Sequence, residues 1–325
     1  VAIMGFDGRV NPDLVTFGEA MALLLAEPGV PLRRAVTFRR QVAGAESNVA
    51  VGLARLGHRV GWFGRVGADA FGDAVLGTLR AEGIDVSRAV VDDTAPTGLL
   101  ARDCSADRPT EVAYYRRDSA GSRLQLSDVD RFYIAAAGWL HVSGVTPVLS
   151  RTAAEATTAA VEAARAAGVS VCLDPNVRRR LCPPADAAKV LRPLVGYADV
   201  IVAGEDEALL LVNAGDVTEA GDRLIERGAR LVVIKRGVRG AWATDGDARF
   251  EVPAFPVRAV DPVGAGDAFA AGLLSALFRQ LPVDRALREA AAVAALCVAA
   301  PGDLDGLPTA AERDAYLEGG ADVTR

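Results

Sequence analysis

The segment Asp261-Pro262-Val263-Gly264-Ala265-Gly266-Asp267-Ala268-Phe269 runs directly into an apolar stretch of helical period. Small residues at 264–266 let successive backbone N–H groups turn inward at a helix start. The result is a nest with the positive end of a helix dipole behind it, which suits a phosphate. Asp267 falls in the first turn of that helix. Taken alone it reads most simply as a helix N-cap. No Gly-x-x-x-x-Gly-Lys-Ser/Thr loop and no complete Gly-x-Gly-x-x-Gly turn occurs, so the P-loop and dinucleotide readings have no support. Four scattered cysteines, Cys104, Cys172, Cys182 and Cys297, and two histidines, His58 and His141, exclude the usual zinc spacings. The thiols read as reduced, small, buried hydrophobes.

These residues need a scaffold, and the chain supplies an α/β one. With 325 residues, half of them hydrophobic, it can bury a sizeable core. Short aliphatic runs expected as strands are Leu14–Phe17, Val60–Phe63, Trp139–Val142, Ser170–Leu173, Val200–Val202 and Leu231–Ile234. Between them the periodicity predicts helices near Glu46–Leu56, Ala70–Glu82, Pro147–Ala167, Glu205–Val212 and Val217–Arg227, then Gly266–Arg279 and Val283–Ala299. This alternation builds a mostly parallel sheet covered by helices. Two stretches, 22–42 and 97–117, break the rhythm and read as short strands that pair into a small separate β-sheet lid. No flexible linker isolates them, so one main domain is expected over 14–318, with terminal extensions at 1–13 and 319–325.

A net charge of −6 without long like-charge blocks argues against nucleic acid and against a basic membrane patch, and leaves a small molecule as the expected partner. Val1–Asn11 has none of the features of a signal peptide, and no apolar run reaches membrane-spanning length, so a cytoplasmic setting is expected.

The 261–269 segment resembles the Asp-x-x-Gly-Ala-Gly-Asp signature of the ribokinase-like (PfkB) carbohydrate kinases. The resemblance implies a ribokinase-like three-layer sandwich, ATP and Mg2+ as cofactors, Asp267 as general base, and an anion hole from the amides of Gly264, Ala265 and Gly266. Pro262 stands where many members have threonine. The resemblance gives Asp261 to loop ordering or to a monovalent cation such as K+. The run from Ala43 to Gly57 is similar to the family's Gly-Gly-x-x-x-Asn helix entry, with Ala43 in place of the first glycine, and implies that Gly44 and Asn48 meet sugar hydroxyls; outside the motif, Asn48 would read as a surface polar residue. Gly64–Gly72 is also similar. Val233–Ala241 resembles the strand and turn beside ATP, which implies nucleotide contacts for Lys235, Gly237 and Gly240, with Gly266 from the nest. Glu207 falls where relatives carry the glutamate of Asn-x-x-Glu, linked through water to the metal; Gly204 replaces the asparagine.

Within the family, the resemblance extends from Leu14 to about Leu317 and is strongest to the 2-keto-3-deoxygluconate kinases. Tyr114–Ser122 is similar to their Tyr-Tyr-Arg lid segment and Leu173–Arg178 to their Leu-Asp-x-Asn-x-Arg strand end. The implied carboxylate partners are Arg116 and Arg178, whose planar forks suit a sugar acid, with Tyr114 beside them. Leu100 stands where some relatives place a substrate-touching tyrosine. Fructokinase or ribokinase activity, and a catalytically silent sugar-binding protein of the same fold, are the alternatives. An exposed lid sheet further suggests a dimer through its open face.

Overall fold

The structure, a computed structural model, describes residues 11–105 and 107–319. Most of the two terminal extensions expected at 1–13 and 319–325 therefore lies outside the described residues. The first half contains β1 (Leu14–Phe17), β2 (Met21–Ala26), β3 (Phe38–Ala43), α1 (Ala45–Arg55), β4 (Val60–Phe63), β5 (Arg65–Gly67), α2 (Ala70–Ala81), β6 (Val90–Asp92), β7 (Leu99–Arg102) and β8 (Val112–Tyr115). Next come α3 (Arg131–Ala135), β9 (Trp139–Ser143), α4 (Arg151–Ala167), β10 (Ser170–Asp174), α5 (Pro184–Val195), β11 (Val200–Gly204), α6 (Glu205–Val212) and α7 (Val217–Glu226). The chain continues with β12 (Leu231–Lys235), β13 (Ala241–Thr244), β14 (Arg249–Val252), α8 (Ala265–Phe278), α9 (Val283–Val298) and α10 (Ala310–Leu317).

Eight strands form the main sheet in the order β14-β13-β12-β11-β10-β9-β1-β4. All neighbours from β12 to β4 are parallel, and β13 and β14 extend the sheet antiparallel. Alternation along the buried strands sends Leu231 and Val233 to one face and Val232 and Ile234 to the other. On the first face they meet α1, α2, α8 and α9; on the second they meet α4 to α7. The architecture is the expected three-layer α/β sandwich. Among the described residues no helix is long and apolar enough to cross a membrane.

Leu14–Phe17 and Val60–Phe63 have the expected bounds, whereas the other four expected strands run on at their carboxyl ends to Ser143, Asp174, Gly204 and Lys235. Hydrophobic pattern stops short there because the added residues are polar or small. The stretch expected as one helix over Pro147–Ala167 divides into a 3-10 turn, Thr146–Val148, and α4. Ser150 makes the break: its backbone is extended and its Oγ accepts the Ala153 N–H at 3.1 Å, a side-chain N-cap.

A second sheet has four strands in the order β3-β2-β7-β8, with β2 and β7 parallel, so segments 22–42 and 97–117 pair with each other. Its inner face buries Met21, Leu23, Leu25 and Leu100 with Cys104. Asp69 ties this sheet to the body. One carboxylate oxygen caps α2 through the N–H groups of Phe71 and Gly72, and the other accepts the N–H of Thr97 at 2.8 Å, just before β7.

Candidate active site

Parallel strands β10, β11 and β12 end side by side, and their last residues, Asp174, Gly204 and Lys235, open onto one groove of about 990 Å3. This is the carboxyl edge of the sheet, where open α/β folds place their ligands. Lys235 Nζ donates to Asp174 Oδ2 at 2.6 Å. Enclosure works against the ammonium charge, but Asp174 and Glu207 outweigh it and hold the Lys235 pKa above its ordinary value. Glu207 accepts the N–H of Val177 on one oxygen and that of Gly204 on the other, each at 2.7 Å. Its carboxylate thus locks the loops after β10 and β11 together while lining the groove.

Across the groove stands the glycine turn. Gly264 takes φ +86°, a left-handed conformation that favours glycine, and a Cβ there would come within 3.3 Å of the Asp303 carbonyl oxygen. Ala268 donates to the Gly264 carbonyl at 2.9 Å, so the N–H groups of Ala265, Gly266 and Asp267 have no acceptor inside α8. Asp267 is 4% exposed. Oδ2 accepts from Asn48 Nδ2 at 2.8 Å and Oδ1 from Asn176 Nδ2 at 3.3 Å. Burial pushes its pKa up to about 6, against the pull of Arg178 and of the Asn48 hydrogen bond.

A smaller cavity of about 150 Å3 lies between the glycine turn and the second sheet. It is lined by Gly44, Asn48, Tyr114, Arg116 and Arg178, together with Leu100, Gly264 and Asp267. All five acceptor-side candidates therefore converge on Asp267. Gly44 is also a packing residue, because a Cβ on it would lie 2.5 Å from the Glu19 carbonyl oxygen. The two arginines differ. Arg116 is paired with the buried carboxylate of Glu19, which Ser119 also hydrogen-bonds, and its guanidinium lies 5.8 Å from the Tyr114 ring centroid. The Arg178 guanidinium has no hydrogen bond or ion pair among the described residues. Enclosure opposes its charge, but Asp267, Tyr114, Asp174 and Glu207 surround it and hold its pKa above the ordinary value.

Asp267, Gly264 and Arg178 line both the groove and the small cavity, so the two spaces meet at the helix start. Gly237 and Gly240 are not part of either lining. They shape the turn between β12 and β13, where a Cβ on Gly240 would lie 2.0 Å from the Val252 carbonyl oxygen. Asp261 lies beneath the turn, fully buried, and accepts from Arg102, Val263 and Gly302. Sequence reasoning did not single out Asp174, Asn176, Arg102 or Asp303. Asp174 and Asn176 had a signal, being polar residues at the carboxyl end of a hydrophobic strand within the Leu-Asp-x-Asn-x-Arg segment. Arg102 and Asp303 had none, since only the fold brings them to the glycine turn.

Comparison with known proteins agrees with this geometry. Residues 11–310 match the model of the pfkB family carbohydrate kinases. The chain is 41% identical over 308 residues to 2-dehydro-3-deoxygluconokinase of Bacillus subtilis (strain 168), covering 94% of this chain and 95% of the relative. Its structure resembles that of a PfkB protein from Polaromonas sp. JS666, with TM-score 0.85 and 39% identity over 94% of this chain and 99% of the other. It also resembles fructokinase with bound ATP from Xylella fastidiosa, with TM-score 0.83 and 28% identity over 96% and 100%. The fold, the glycine turn at the start of α8 and the match over nearly the whole chain agree: this chain belongs to the pfkB family of carbohydrate kinases.

Proposed function

We propose that this kinase transfers the terminal phosphoryl group of ATP to a hydroxyl of 2-keto-3-deoxygluconate (2-dehydro-3-deoxygluconate). The observation that carries the reading is the junction at Asp267, where a large groove bearing Lys235 and a small cavity bearing Arg178 share the amides of one helix start. ATP occupies the groove with its γ-phosphate toward Gly264–Asp267, and the sugar acid occupies the cavity. Asp267, with its raised pKa, accepts the proton of the attacking hydroxyl as the new O–P bond forms and the bond to the ADP oxygen breaks. The free N–H groups of the turn stabilise charge on the phosphoryl oxygens. Arg178 holds the acceptor carboxylate, and the small sheet serves as a lid on a single kinase domain.

Mg2+ fits this groove through water rather than as a direct protein cage. The groove offers hard oxygen donors in Asp174, Glu205, Asp206 and Glu207, while no group of three or more metal-binding side chains is poised for an ion among the described residues. When bound with ATP the ion neutralises phosphate charge; Glu207 and Asp174 would hold its water shell. The same reading gives a cytoplasmic enzyme, dimeric through the open face of the small sheet, where Tyr115 and Phe38 are exposed.

One observation favours a neutral acceptor such as fructose or ribose: Arg116 already has a carboxylate partner in Glu19. ADP release measured with a panel of sugars and sugar acids tests both readings. The highest kcat/KM is expected for 2-keto-3-deoxygluconate, and a preference for fructose or ribose would overturn the acceptor assignment.

A further inference from the structure

Arg102 is 1% exposed, one of the largest fully buried side chains in the protein, and it lies at the end of β7 in the small sheet. Its Nη1 donates to Asp261 Oδ2 at 2.7 Å and to the Asp103 carbonyl at 3.1 Å, while Nη2 donates to Asp303 Oδ1 at 2.7 Å. Both carboxylates brace the glycine turn. Asp261 accepts the N–H of Val263 at 3.2 Å and that of Gly302 at 2.9 Å, so it fastens the residue before Gly264 to the loop after α9. Asp303 accepts Asn48 Nδ2 at 3.3 Å, the same amide that donates to Asp267. One guanidinium therefore lies beneath the turn and faces two carboxylates.

A soluble monovalent cation at Asp261, one of the roles the family resemblance offers, does not fit this arrangement. Both Asp261 oxygens already accept N–H donors, and its charge is met at 2.7 Å by the fixed guanidinium, so a second cation at Asp261 would stand close to a like charge. We propose that Arg102 is a positioning residue for phosphoryl transfer, a built-in cation that takes the place of a soluble monovalent ion and clamps the small sheet to the glycine turn. β7 pairs directly with β8, in register Leu100 to Tyr114 and Arg102 to Val112, so the strand that braces the turn also carries the sheet that bears Tyr114 and Arg116. The guanidinium thus fixes the distance between acceptor cavity and anion hole.

The inference rests on the kinase reading above, and its tests separate the two. Turnover and melting temperature of the parent are measured in KCl and in choline chloride at equal ionic strength. Equal values are expected in both. A K+-specific rise in turnover of fivefold or more, or a K+-specific rise in melting temperature, would overturn the built-in cation. The melting comparison decides this even for a chain that phosphorylates none of the sugars tried, a result that would sink the kinase reading instead. Arg102→Met is expected to lose about 100-fold in kcat with KM for ATP within about threefold, while Arg102→Lys recovers at least a tenth of parental kcat. Should Arg102→Met alone fail to fold, Arg102→Met with Asp303→Asn keeps the net charge of the cluster while still lacking the clamp. Parental kcat in either folded variant would remove Arg102 from the positioning role.

Discussion

Asn48 and Asp267, 219 residues apart in the chain, meet at 2.8 Å with the amide of the first long helix donating to the carboxylate of the last glycine-rich turn. The bond favours the ionised carboxylate and so opposes the rise that burial imposes on its pKa. Asn48→Ala is therefore expected to move the acidic limb of the pH–rate profile upward from about 6, with a larger loss of kcat/KM at pH 6 than at pH 8. An equal loss at both pH values would assign Asn48 to acceptor contact alone.

For Asp267 itself the sign follows from the base role proposed for it. A base must be ionised to accept a proton, so kcat/KM should rise about tenfold per pH unit below the Asp267 pKa of about 6 and level off above it. Asp267→Asn keeps the shape but cannot take the proton, and turnover should fall by about 100-fold or more while sugar binding, read by calorimetry, stays within about threefold. Near-normal turnover in that variant would remove Asp267 from the base role.

How much of this was legible in the sequence depends on locality. Asp267 and the small residues before it stand in one continuous segment, so their types and order alone suggest a phosphate nest. Asn176 stands within the Leu173–Arg178 segment, but its contact with Asp267 depends on a backbone turn at φ +40°, and local pattern does not specify that turn. Arg102 was not legible at all. An arginine at the end of a short strand ordinarily reads as a solvated charge, and only the packing of β7 over the glycine turn buries it between Asp261 and Asp303. Helix α5 escaped for a different reason: Pro183, Pro184 and Pro193 mask a helical spacing of Ala187, Ala188, Leu191, Leu194 and Val195.

Glu46 predicts a pH-dependent stability. It is fully buried on α1, hydrogen-bonded by Thr146 Oγ1, and burial pushes its pKa up to about 8 from an ordinary 4.5. Between those values the folded chain keeps a proton that the unfolded chain has released, so stability falls as pH rises through the window, by about 1.4 kcal/mol per unit at most. Glu46→Gln removes the titration. Its melting temperature relative to the parent should improve by a few degrees between pH 6 and pH 9. A constant difference across that range would contradict a protonated Glu46.

The two arginines beside the small cavity should separate cleanly on substitution. Arg116 is 11% exposed and paired with Glu19, itself 1% exposed, so much of its charge is already opposed inside the protein. Removing it leaves a buried carboxylate without its partner, a change that typically costs about 3–5 kcal/mol of stability. Arg116→Ala is therefore expected to melt at a markedly lower temperature and to lose similar factors in kcat/KM on a sugar acid and on a neutral sugar. Arg178 has no such partner, lines both the groove and the cavity, and keeps its charge available to an incoming carboxylate. A charge-assisted hydrogen bond is worth about 1.5–3 kcal/mol, which corresponds to about tenfold or more in specificity. Because Arg178 also pulls the Asp267 pKa down, the comparison belongs above pH 8, where the carboxylate stays ionised; there Arg178→Ala should lose at least that factor on 2-keto-3-deoxygluconate and less than about threefold on fructose. The check is kcat/KM for both substrates in the parent and in each variant. Equal losses on the two substrates in Arg178→Ala, or an acid-specific loss confined to Arg116→Ala, would move the carboxylate contact away from Arg178.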